Sequence, residues 1–119
     1  MKKVLWVSRH TMTEDQIRDL KRALNDDFET ICYKETVKDI SEITPFIGSV
    51  DIIAAVLPTE LLADLFEAAE GKPVIQSVSE RVDTGRIVKL PDGREEKEFA
   101  FVHSRWQKIV EFKLKVENF

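Results

Sequence analysis

Asp51-Ile52-Ile53-Ala54-Ala55-Val56-Leu57 is the stretch that decides the fold, and Pro58-Thr59 follows it at once. Its six successive apolar residues leave no polar face. A strand of that kind is covered on both sides, which is the habit of a parallel sheet with helices on each face. Downstream, Pro58-Thr59 opens a helix whose apolar stripe is Leu61, Leu62, Leu65, Phe66 and Ala69, with Gly71 placed to end it. Pro73–Val78 then reads as another strand. Upstream, Asp39–Ile47 reads as a short helix with Ser41 as its cap and Pro45 in its first turn, where proline is tolerated.

The N-terminal third repeats the pattern. Lys3–Val7 and Phe28–Tyr33 read as strands. Between them Thr13 is a helix cap, Gln16 completes a capping box, and Met12 packs on Ile17 as a hydrophobic staple. Ile17, Leu20 and Leu24 recur at helical spacing, and Asn25-Asp26-Asp27 ends the helix. The resulting order, βαβαβαβ over residues 1–80, predicts a small Rossmann-like, right-handed doubly wound sheet.

After residue 80 the pattern changes. Arg86–Leu90 and Lys97–Val102 flank Pro91-Asp92-Gly93-Arg94, a hairpin signal. Val110, Phe112, Leu114 and Val116 alternate with charged residues, the period of a half-buried strand. Residues 81–119 are therefore expected to add an antiparallel extension to the core. The whole chain, 119 residues, fits one domain. Its core is small, and the apolar face at Val110–Val116 points to a two-fold homodimer.

Composition narrows the function. No apolar run approaches the roughly 20 residues that cross a bilayer, and Arg9-His10 interrupts the N-terminal run too early for a secretion signal. One cysteine, Cys32, excludes an internal disulfide and a CxxC site, so a cytoplasmic setting is expected, with Cys32 as a small buried hydrophobe. The net charge of −4 argues against a duplex nucleic-acid binder. The charge is uneven, with 8 Lys/Arg against 14 Asp/Glu in residues 1–70 and 10 against 8 in residues 71–119. There is no GxGxxG, no GxxxxGK[ST] and no GxSxG. Two histidines, His10 and His103, have no metal-ligand spacing, so neither a bound metal nor a cofactor is expected.

Ligands of open parallel sheets bind beyond the carboxyl ends of the strands. Ser8-Arg9-His10-Thr11, Lys34-Glu35-Thr36, Leu57-Pro58-Thr59 and Ser77-Val78-Ser79-Glu80-Arg81 are expected to converge there, with helix N-termini at Thr13 and Thr59 favouring anions. His10 suits proton transfer or binding; it also suits a surface histidine bonded to a nearby carbonyl. Arg9 also fits an ion pair and Ser8 a turn. His103, at a strand end near Arg105, reads as structural, and Trp6 and Trp106 as core residues.

The opening Val7-Ser8-Arg9-His10-Thr11-Met12-Thr13-Glu14-Asp15-Gln16 resembles that of small CRISPR-associated accessory proteins of type III systems. One branch has an apolar strand and a Ser/Thr-Arg-His signature, matched by Ser8-Arg9-His10. Another opens with Ser-His and continues Leu-Thr-x-x-Gln; Met12-Thr13-Glu14-Asp15-Gln16 matches that continuation with methionine in place of leucine, while Arg9 stands where its serine would be. Ser77, Ser79 and Arg81, then His103, Arg105 and Trp106, resemble the later hydroxyl-rich turn and basic-aromatic hairpin of that second branch. The resemblance implies a Rossmann-like dimer that binds cyclic oligoadenylate, foremost the cyclic tetraadenylate, and that acts as a metal-independent ring nuclease or only holds the ring. On that reading His10 is the general acid or base, with Ser8 and Arg9 beside it in the catalytic group. Thr11, Ser77, Ser79, Arg81 and Arg105 contact the ligand. A protein–protein adaptor built on the antiparallel extension is the alternative.

Overall fold

The computed structural model describes residues 1–111. The chain is a mixed α/β protein with one five-stranded sheet. In chain order the elements are β1 (Lys2–Val7), α1 (Glu14–Leu24), β2 (Phe28–Tyr33), a 3-10 turn (Ile40–Glu42), α2 (Thr44–Ile47), β3 (Ile52–Ala55), α3 (Thr59–Ala68), β4 (Val74–Lys89) and β5 (Glu95–Lys108). Across the sheet the strands lie in the order β2-β1-β3-β4-β5. The first four are mutually parallel, and β5 runs antiparallel to β4.

Alternation along the strands sorts the core into two layers. Leu5, Val7, Ile53, Ala55 and Val74 face Ile40, Ile43, Ile47, Leu62, Leu65 and Ala69 from the 3-10 turn, α2 and α3. Val4, Trp6, Ile52, Ala54 and Ile75 face Leu20, with Ile17 and Leu24 of α1 packed beside them. β1 and β3 are therefore covered on both sides, as their unbroken apolar runs require.

Local signals explain the helix ends. Thr13 accepts from the Gln16 N–H while Gln16 accepts from the Thr13 N–H, so the capping box closes in both directions. Asn25 takes a left-handed φ of 52° at the C-terminus of α1.

Four expectations are corrected. The segment Asp39–Ile47 is two short pieces rather than one helix, and its cap is Asp39, which accepts from the Ser41 N–H. β3 stops at Ala55, leaving Val56 exposed beyond the sheet, although its N–H still bonds Val7. Cys32 is exposed, on β2 at the edge of the sheet. The segments read as separate strands at Pro73–Val78 and Arg86–Leu90 belong to one 16-residue strand. The intervening Asp83-Thr84-Gly85-Arg86 looks like a turn but is an irregularity within the β4–β5 ladder, with Gly85 at φ +79°. The hairpin tip itself lies at Pro91–Arg94 as expected, closed by the Leu90 N–H to the Arg94 carbonyl. The alternating segment from Phe112 to Val116 lies outside the described residues.

β4 and β5 continue well past β3, which pairs with only Val74 and Ile75 of β4. They form a two-stranded arm. The radius of gyration is accordingly 17.6 Å, against about 13 Å for a compact domain of this length. Among the described residues no helix is long and apolar enough to cross a membrane.

Candidate functional site at the carboxyl edge of the sheet

The carboxyl ends of β1 and β3 and the loop after β2 enclose a cavity of about 200 Å³. Ser8 and Arg9 line it from β1, Glu35 and Thr36 from the loop after β2, and Leu57 and Pro58 from the start of α3. The sheet ladder runs up to its floor, through Ser8 N–H to Tyr33 and Val56 N–H to Val7. Pro58 occupies the N-cap of α3 and supplies no side-chain acceptor to the first turn. Those N–H groups and the helix dipole face the same edge and favour a negative ligand.

The peptide at His10 is held from both sides. Its N–H donates to Ser8 Oγ at 3.1 Å, and its carbonyl accepts the Trp6 indole N–H at 2.8 Å. Ser8 is 6% exposed and Trp6 is 1% exposed, so an exposed histidine is anchored to the buried core through two short bonds. Neither the Arg9 guanidinium nor the His10 imidazole bonds to another of the described residues, and both remain available to a ligand.

Of the expected catalytic group, Ser8 and Arg9 line this cavity and His10 does not, and the other expected site residues do not gather there either. Thr11 lines a separate cavity of about 230 Å³ with Trp6, Met12, Phe28 and Cys32. Ser79, Arg81 and Arg105 lie on the arm. The Arg81 guanidinium stacks over Phe99 at 3.7 Å from the ring centre, and Arg105 lies 3.9 Å from Glu80.

Ser77 belongs to a different cluster, which sequence reasoning did not find. Gln16 Nε2 donates to Ser77 Oγ, Ser77 Oγ lies 2.6 Å from His103 Nδ1, and His103 Nε2 lies 2.8 Å from Asp19 Oδ2. The carboxylate can only accept, so Nε2 carries a proton; in the neutral ring the Ser77 hydroxyl then donates to Nδ1. The His103 side chain is 4% exposed and packs at a tilt against Trp106, whose indole donates to the Gln16 carbonyl. Ser77 Oγ and both ring nitrogens of His103 therefore all have partners. It is a clasp that ties α1 to the base of the arm, with both ring nitrogens of His103 bonded inside it.

The clasp makes folding acid-sensitive. The hydrogen bond from His103, with that from Arg22, holds the Asp19 carboxyl below its ordinary value of 3.8. The folded state thus binds this proton less readily than the unfolded state. The stabilisation is fully present above about pH 4 and is lost as pH falls through the lower folded value. Thermal melting between pH 2.5 and 6 should show this loss, and Asp19→Asn should flatten the acid limb relative to wild type. An unchanged acid limb in Asp19→Asn would remove the clasp from the account.

Asp39 and Glu42 are also held below their ordinary values. The Ser41 N–H bonds Asp39, and the Asp39 and Lys38 N–H groups with the Tyr33 hydroxyl bond Glu42. These bonds order the segment that follows the loop carrying Glu35 and Thr36. Among the described residues no group of three or more His, Cys, Asp or Glu is arranged to hold a metal ion. No protein-family model, no curated protein and no solved structure matches the chain.

Proposed function

We propose that the chain binds a cyclic oligoadenylate at the carboxyl edge of a Rossmann-like sheet and opens the ring by attack of a ribose 2′-hydroxyl. The observation that carries this reading is Arg9, whose guanidinium has no partner among the described residues, lining a cavity that α3 enters with an uncapped N-terminus, with the backbone-anchored His10 next to it in the chain. The Ser8-Arg9-His10 signature supplies the identity of the ligand class.

A phosphate of the ring is held by Arg9 and by the first-turn N–H groups of α3. Glu35, the acidic lining residue, accepts the exocyclic amine of an adenine. His10 removes the proton from a 2′-hydroxyl. The oxygen then attacks the adjacent phosphorus, the P–O5′ bond breaks as the 2′,3′-cyclic phosphate forms, and the leaving 5′-oxygen takes its proton from water. Alignment and charge stabilisation supply most of the acceleration, and the imidazole supplies proton transfer near neutrality.

The placement of the arginines refines what mutation should do. Arg9→Ala should weaken binding by about 1.5–3 kcal/mol, the range for hydrogen bonds to charged groups. Arg81→Ala should change it far less, because Arg81 is engaged with Phe99 on the arm. Equal losses at both positions in calorimetry would move the ligand onto the arm. The reaction itself is tested by incubating pure protein with cyclic tri-, tetra- and hexaadenylate, with and without chelator, and resolving the products. Linear products ending in a cyclic phosphate support the nuclease. Binding with no product leaves a protein that only holds the ring, and absence of binding removes the reading.

A further inference from the structure

β2 presents Phe28, Thr30 and Cys32 to the α1 side of the sheet, since their register partners on β1 are Lys2, Val4 and Trp6, and Val4 and Trp6 lie in the layer under α1. Of the three only Phe28 is large, and it packs against that layer. The small side chains at positions 30 and 32 are exposed and leave the space above them unfilled. A second cavity, of about 230 Å³, lies there between β1, β2 and the start of α1.

Its inner wall is apolar. Trp6 and Phe28 supply aromatic rings, Met12 a thioether and Ile17 a branched chain, and Trp6 and Met12 are buried. Its mouth is polar. The Thr11 and Thr30 hydroxyls and the Cys32 thiol bond to nothing among the described residues. Lys21 is the one charged residue of the lining. Its ammonium lies 3.3 Å from Asp27, and both side chains are at least half exposed. An exposed pair of this kind is weakly held, and an ammonium has three donors, so Lys21 can take a second carboxylate. An apolar cavity of about 150 Å³ holds benzene. The larger volume here fits one ring with a substituent, or two fused rings.

We infer that this cavity is a binding site for a small flat aromatic carboxylate, with its ring against Trp6 and Phe28 and its acid group on Lys21. Burial of the ring supplies most of the affinity, and the cation with the free hydroxyls at the mouth sets the orientation. The inference stands apart from the ligand proposed above, since the two cavities share no lining residue.

Calorimetric titration of 2-naphthoate into the full chain should show one saturable site with a dissociation constant on the order of 0.1 mM, ordinary for a ligand of this size. Lys21→Met should weaken naphthoate about three- to tenfold, the effect of losing one charged contact at a partly exposed site, and should leave the uncharged 2-naphthamide unaltered. Cys32→Phe puts a ring into the mouth from an exposed strand position that suits an aromatic residue, and should abolish binding with the circular dichroism spectrum retained. A second measurement covers a variant that fails to fold. Cys32 is the chain's single cysteine, so iodoacetamide labelling of the wild type, read by mass spectrometry, reports on the mouth alone. Saturating naphthoate should slow it several-fold. No saturable binding at millimolar naphthoate, labelling unchanged at saturation, undiminished binding by folded Cys32→Phe, or an unaltered naphthoate affinity in Lys21→Met would overturn the inference.

Discussion

Trp6→Ala is expected to cost about 3–5 kcal/mol of folding stability, the range for removing a fully buried large aromatic side chain. Trp6 sits on β1, which is paired on both sides, and is 1% exposed. Its register neighbour on β3 is Ala54, whose small side chain leaves the room that the indole fills. The ring meets Trp106 edge to face at 6.0 Å, and Met12 and Leu20 complete its surroundings. Truncation opens a cavity between sheet and α1 and also leaves the His10 carbonyl without its donor. Urea unfolding followed by circular dichroism measures the loss. A cost below 1 kcal/mol would show that the α1 layer is not packed as described. Trp6→Phe separates the two roles: it keeps most of the packing, removes only the N–H, and should loosen His10 more than it destabilises the fold.

His10→Ala is expected to lower single-turnover cleavage of the ring by roughly 10²–10⁴-fold, the usual contribution of a general acid or base. The imidazole is the more credible proton carrier of the two histidines because both ring nitrogens of His103 are occupied, by Ser77 and Asp19. Two bonds fix the His10 backbone, so the ring is presented from a rigid point. Binding should change much less than rate, since phosphate contact is assigned to Arg9 and α3. A mutant that cleaves at the wild-type rate would remove His10 from the chemistry.

What could be read in the sequence follows the range of the interactions. The capping box of α1 is local and stands in the structure, and Met12 and Ile17 of the expected staple both belong to the layer under α1. The runs of β1 and β3 are apolar because both faces are covered, so their strand character was legible without knowing what covers them. The hairpin tip at Pro91–Arg94 is likewise a local turn signal. The length of β4 was not legible, because Asp83-Thr84-Gly85-Arg86 carries the composition of a turn while serving as a bulge inside a strand. Cys32 misled because an apolar run says nothing about lying at a sheet edge. The clasp was hidden for a different reason. Asp19 and His103 are 84 positions apart, and the extra residue Ser104 shifts the alternation so that His103 and Trp106 fall on the same face. At the carboxyl edge, Ser8, Arg9 and the α3 entry were placed together by the topology of parallel strands. Arg81 and Arg105 were not, since β4 carries them out along the arm.

Calorimetric titration of cyclic tetraadenylate into the wild-type chain and into Arg9→Ala, at two salt concentrations, is the most direct test of the carboxyl-edge site. A carboxyl-edge site should give saturable binding by the wild type that weakens with salt, and a loss of about 1.5–3 kcal/mol in Arg9→Ala. No heat with the wild type, or binding that neither Arg9→Ala nor salt alters, would contradict it.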